Sequence, residues 1–140
     1  MAVNYWLVKS EPSTYSWNQF EIEKETVWDG IRNFAARNHL RAMKKGDLCF
    51  FYHSNEGLCI VGIAKVAKES FQDPTSEDKN WVAVGLVPYK KLKTPLTLQD
   101  IREDQRLASM VLLKNSRLSV QPVTAKEAAI IADLGGVKLA

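Results

Sequence analysis

Two apolar stretches, "DLCFFYHS" (residues 47–54) and "GLCIVGIAKVAK" (57–68), flank the short sequence "NEG" (55–57). The glycine suits a positive-φ turn, so they read as two strands of a hairpin covering 48–54 and 58–66. Neither stretch alternates apolar with polar residues, so neither has a side to give to water. The sheet must then be covered on both faces or close into a small barrel with helices outside. Helices do not alternate regularly with strands along the chain, which argues against a doubly wound sheet. A mixed α+β barrel of about five to six strands, surrounded by helices, is the expected fold. At 140 residues, with no linker, repeat or low-complexity tract, residues 1–140 are expected to form one domain.

The remaining elements follow from local signals. "VNYWLVK" (3–9) is a further strand apolar on both faces, and a short helix is expected around 16–22. Asn33 is a good N-cap, and Ala36, Leu40 and Met43 form an apolar stripe on a helix that Gly46 should stop. "NWVAVGLVPYKKL" (80–92) predicts a third strand, distorted or ended by Pro88. The polar "ESFQDPTSEDKN" before it reads as an exposed loop. Thr97 with Asp100, and Thr124 with Glu127, form capping boxes for two later helices, the last ended by Gly135 and Gly136. "RLSVQPV" alternates as a strand between them. On the simple hairpin register Cys59 faces Tyr52 rather than Cys49, so both cysteines are expected as reduced core residues.

Catalytic patterns are sparse. No nucleophile elbow, zinc-protease helix, phosphate loop or dinucleotide fingerprint occurs, and no C-x-x-C pair suggests a metal. His39 falls off the apolar stripe and reads as solvated. His53 ends a strand, where a structural role is the simpler one. No cofactor, metal or catalytic group is therefore expected. No basic leader precedes Val3 and no segment reaches the ~18 apolar residues of a membrane span, so a soluble intracellular chain without a membrane partner is expected.

Binding has more support. Lys and Arg number 19 against 16 Asp and Glu, a net charge of +3 that permits nucleic-acid binding without demanding it. Arg37, Arg41 and Lys44 share one face of the helix after Asn33 and suit phosphates, although the same spacing fits an ordinary solvated face. Trp28 and Trp81 each border a polar loop, where an exposed ring near basic residues suits base stacking. From composition alone Trp28 is either a plug for the core or a ring presented to a ligand.

The segments "NYWLVKSEP", "WDGIRNFAARNHLRAMKKGDLCFFYHSN", "GIAKVAKESFQDPT", "WVAV" and "RLSVQPV", in this order, resemble the EVE domain family. The resemblance runs from Tyr5 to about Ile131. It implies a PUA-like fold, a small bent mixed β-barrel, akin to the YTH and ASCH domain families. It also implies a non-catalytic reader of a modified base in DNA or RNA, flipped into an aromatic-lined pocket. By analogy with the methyladenine cage of YTH domains, Trp28 becomes one wall and Trp81 a candidate second wall, with Ser10, Asp29 and Asn33 near the base edge. Tyr52, His53 and Ser54, together with Arg117, Leu118 and Ser119, would line the same cleft. Lys9, Arg32, Arg37, Arg41 and Lys44 are the expected phosphate contacts. The chain reaches "YWLVKSEP" without a basic extension, which leads to the expectation of a stand-alone, bacterial, cytoplasmic form. The alternative from another class is an ASCH-type enzyme acting on RNA or a nucleoside-like molecule, with His53 as its base.

Overall fold

In the computed structural model, which describes residues 3–140, six strands form one mixed sheet in the order β2-β5-β4-β3-β1-β6. β1 (Tyr5–Ser10) is parallel to β3 (Leu48–His53) and antiparallel to β6 (Val120–Val123). β3, β4 (Cys59–Gln72) and β5 (Val82–Thr97) are successive antiparallel neighbours, and β2 (Thr26–Trp28) forms the far edge beside β5. A parallel pair needs a long crossover. The one from β1 to β3 carries α1 (Trp17–Glu23), β2 and α2 (Phe34–Ala42). Three further helices follow β5: α3 (Leu98–Glu103), α4 (Val111–Lys114) and α5 (Ala125–Gly135), with a 3-10 turn at Gln105–Leu107. The α+β expectation holds.

A core lies on each face of the sheet, which is why the strands are apolar throughout. Val8 and Phe51 pack with Trp17, Phe20 and Leu40 from α1 and α2. Their chain neighbours Leu7 and Phe50 point the other way, toward Leu107, Met110 and Ile131. Successive side chains of a strand leave on opposite faces, so a sheet covered twice needs unbroken apolar runs.

Bulges correct several details of the expected pairing. The β3–β4 register shifts between Phe51 and Tyr52, which sets Cys59 opposite His53 rather than Tyr52. Cys59 is consequently half-exposed, not a core residue, whereas Cys49 is fully buried. Pro88 does not end its strand. A shift between Ile63 and Ala64 places it opposite Ala64 beside a bulge, one of the positions at which sheets tolerate proline, and β5 continues to Thr97. β4 likewise runs on to Gln72, so the first residues of the expected 69–80 loop are strand.

The helix caps follow the sequence closely. The side chains of Ser16, Asn33, Thr97 and Thr124 accept backbone N–H groups in the first turns of α1, α2, α3 and α5, and both capping boxes are complete. α2 ends at Ala42, earlier than Gly46 suggested. The buried Asp47 carboxylate takes the backbone N–H of Lys44 (2.9 Å), of Asn4 (3.1 Å) and the indole N–H of Trp6 (3.0 Å), which turns the chain into β3. His39 is not simply solvated, since its ring lies 5.8 Å from that of Trp6.

Candidate functional site

β2 is three residues long and decides where Trp28 goes. Its pairing sets Trp28 opposite Val84, and strand alternation turns Val27 outward and Trp28 inward. Trp28 is only 8% exposed. Its ring meets Phe51 edge-on at 5.5 Å and Tyr15 at 6.5 Å. The indole therefore belongs largely to the core, and what remains accessible lines a cleft of about 620 Å³.

This cleft lies where β1 ends. Lys9, Ser10 and Glu11 form one side, Thr26 to Asp29 with Ile31 the other, and Thr14 and Tyr15 complete it. The structure thus brings together Lys9, Ser10, Trp28 and Asp29 of the expected residues. Asn33 is absent from the lining, because its side-chain oxygen caps α2 by accepting from the N–H of Ala36 (2.9 Å). Ser10 donates its hydroxyl to the carbonyl of Tyr15 (2.5 Å), and the Tyr15 N–H donates to the carbonyl of Glu11 (2.8 Å). These bonds fix the aromatic that sequence reasoning missed. Burial, together with the Glu23 carboxylate that accepts its hydroxyl at 2.7 Å, pushes the Tyr15 phenol up to about 12, against a lowering contact with Thr26. Tyr15 stays neutral at physiological pH. Its only local signal was its place just after the "KS" strand end.

Asp73 is the second residue the sequence concealed, inside what read as a polar loop. Its side chain is fully buried and collects four bonds: the Gly30 N–H (2.8 Å), the Arg32 guanidinium (2.9 Å), and the Thr75 N–H (2.7 Å) and hydroxyl (2.6 Å). Burial alone would raise its pKa. Hydrogen bonds from Thr75, Arg32 and Gly30 outweigh burial and hold the carboxyl at about 2. Gly30 reaches Asp73 with φ +76°, a left-handed conformation that glycine adopts without strain. The segment after Trp28 is thereby pinned across to the 73–75 turn, which fixes the rim of the cleft.

Other expected residues are dispersed by strand alternation. Tyr52 belongs to the second core, and with Ser54, Arg102, Ser116 and its register partner Lys9, which borders both sites, it lines a separate, narrower cavity of about 210 Å³. The Lys9 ammonium donates to the carbonyl of Ser116 (2.6 Å), and burial lowers its pKa. His53 lies on the other face, where its Nε2 accepts the backbone N–H of Trp17 (3.2 Å) and its ring meets Phe51 at 5.8 Å. Burial lowers its pKa, which favours the neutral acceptor that this bond requires. Leu118 is buried in the first core rather than facing a ligand, and Ser119 uses its carbonyl to accept the Lys9 N–H (3.0 Å). Arg117 is exposed and lines neither cavity.

Trp81 does not face Trp28. It stacks on Phe34 with ring centroids 5.2 Å apart and planes 28° apart, away from the cleft lining. Arg32 and Arg37 set their guanidinium groups 5.6 and 5.8 Å from its centroid. Arg37 and Arg41 both reach the carbonyl of Asn80 (3.5 and 3.3 Å). The expected basic stripe is thus gathered onto the 78–81 segment, while Lys44 lies exposed past the end of α2. No helix of the described residues is long and apolar enough to cross a membrane.

The sequence pattern of the EVE domain matches residues 4–134. Thymocyte nuclear protein 1 of Mus musculus is 37% identical over 158 aligned residues, covering 89% of this chain and 70% of that protein. Rpa0253 of Rhodopseudomonas palustris, solved by NMR, is 49% identical and superposes with a TM-score of 0.92, covering 96% of this chain and 94% of its own. The human THYN1 protein, crystallised in complex with DNA containing 5-methylcytosine, is 30% identical with a TM-score of 0.90, covering 97% and 99%. An ASCH protein of Zymomonas mobilis shares only 12% of residues at a TM-score of 0.63 and covers 94% and 98%. That likeness concerns the fold, which is the PUA-like one.

Proposed function

The chain belongs to the EVE domain family, and from that premise we propose that its Trp28 cleft receives a modified base, 5-methylcytosine in the first instance, turned out of DNA. The observation that carries this reading is the cleft itself: two rigidly held aromatics, Trp28 and Tyr15, with polar groups of Ser10 and Asp29 at its edge. The DNA-bound THYN1 relative covers nearly the same length of chain and supports it. Extruding a base costs a few kcal/mol, which contact with aromatic and apolar side chains and hydrogen bonds to the base edge offset. One methyl group adds only ~1–3 kcal/mol of discrimination, so preference for the modified base is modest. The ASCH-type enzymatic alternative finds no comparable support, since Nε2 of His53 is already engaged by Trp17.

Fluorescence anisotropy with duplexes carrying one 5-methylcytosine or one cytosine, alongside RNA counterparts, tests the reading. We expect roughly tenfold tighter binding of the methylated DNA. Trp28→Phe, which keeps an aromatic in the core, should reduce that ratio. Equal affinity of the parent for methylated and unmethylated DNA would remove the base-cleft assignment.

A further inference from the structure

Phe34 opens α2 and is 64% exposed, an unusual place for a large apolar side chain. It is not a loose ring. One side stacks on Trp81 at 5.2 Å, and the Arg37 guanidinium lies 4.9 Å from its centroid. Trp81 is held in turn by Arg32, which Asp73 anchors. The pair is therefore an ordered, solvent-exposed aromatic surface with a guanidinium already over Phe34. A ring held in place before binding loses little conformational freedom when something stacks on it.

Charge selects the occupant. Arg37 and Arg41 have no carboxylate within ion-pair distance among the described residues, and their donors rest on the Asn80 carbonyl and the Asn38 side chain. A planar aromatic platform beside two unneutralised guanidiniums matches a nucleobase with its phosphate. Position selects which nucleotide. Ile31 lines the Trp28 cleft, and Phe34 follows three residues later. Three residues reach at most ~10 Å, about three stacked nucleotide rises of ~3.4 Å.

We propose that the exposed ring of Phe34 is a second stacking site, taking a nucleobase one to three positions along the strand from the base held at Trp28, with Arg37 and Arg41 moving onto its phosphates. The assignment rests on the base-cleft reading. The site grips any base alike, because every base has a stacking face, so it adds affinity without adding preference for the modification.

An abasic scan tests it. A methylated oligonucleotide carries a single abasic position, moved through the three nucleotides on either side of 5-methylcytosine, and is titrated against the parent, Phe34→Ala and Phe34→Leu. At one flanking position, loss of the base should weaken parent binding by roughly tenfold, within the range expected for one base–aromatic stack, and leave Phe34→Ala unchanged. Phe34→Leu, which keeps apolar bulk without the ring, should behave like Phe34→Ala. All three proteins should keep the same ratio of methylated to unmethylated affinity. If abasic and Phe34 effects multiply independently at every position, the second site is overturned while the cleft stands. If the parent shows no preference for 5-methylcytosine, the cleft reading fails, and the coupling between Phe34 and a flanking base still decides the platform. Absence of binding to any oligonucleotide at low salt overturns both.

Discussion

Trp28 touches Phe51 and Tyr15 edge-on and is nearly excluded from water, so truncation to alanine empties space that the neighbouring rings cannot refill. Trp28→Ala should lose about 3–5 kcal/mol of stability by urea denaturation, the range for large aromatics removed from cores. A loss under 1 kcal/mol would refute a core role for the ring. Asp73 makes a pH prediction. Its folded pKa of about 2 lies below the ordinary 3.8, so the ionised carboxylate's contribution is complete above about pH 4 and is lost as pH falls through 2. That contribution is about 2 kcal/mol. Denaturation curves between pH 5 and 2 should show the parent losing this much more than Asp73→Asn. A parent–variant difference that stays constant with pH would refute the anchoring role. Asn33 was readable as a cap because capping depends on spacing within one turn. Tyr15 and Asp73 were not, because their partners Trp28, Gly30 and Arg32 arrive through pairing between distant strands.

At the scale of elements, α1 is the support that positions the cleft. Trp17 lies so close over β4 that a Cβ at Gly62 would sit 2.6 Å from its ring, and its backbone N–H donates to His53 Nε2. Tyr15 lies two residues before that contact. Gly62→Ala must push α1 outward, at a cost of about 1–3 kcal/mol, and should weaken oligonucleotide binding together with stability. Unchanged thermal stability in that variant would show that α1 accommodates the methyl without moving. Helices α2, α3 and α5 were legible from their caps Asn33, Thr97 and Thr124, each a local signal, whereas the Ser16 cap of α1 was not singled out. β2 was not, since three residues carry no periodicity and its strand character comes wholly from pairing with Val84 to Leu86. α4 was not legible either, since four residues without a side-chain cap carry no helical period. The continuation of β5 past Pro88 depended on a bulge opposite β4 that a proline alone does not announce.

Across the whole molecule, a net charge of +3 is too small to draw DNA by itself, so affinity depends on where the cations gather. The sequence showed the apolar runs that demand two cores, and the fold followed. It also showed Arg37 and Arg41 one helical turn apart, but not that both lean on Asn80, beside Trp81 and Phe34. That grouping gives the arginines a measurable signature. Each phosphate contact contributes a slope of about −0.9 in log K against log salt on duplex DNA and about −0.7 on single strands. Arg37→Ala with Arg41→Ala should therefore flatten the slope by about 1.4–1.8 and weaken methylated and unmethylated DNA equally. Lys90→Ala is the matched control, because its ammonium sits beside the carbonyls of Lys138 and Ala140, against the C-terminal segment. Removing that charge should leave the slope nearly unchanged. Anisotropy titrations at four salt concentrations separate the two outcomes. If the Lys90 variant flattens the slope while the arginine pair leaves it unchanged, DNA lies across the β5–α5 side, and neither Arg37 nor Arg41 marks its path.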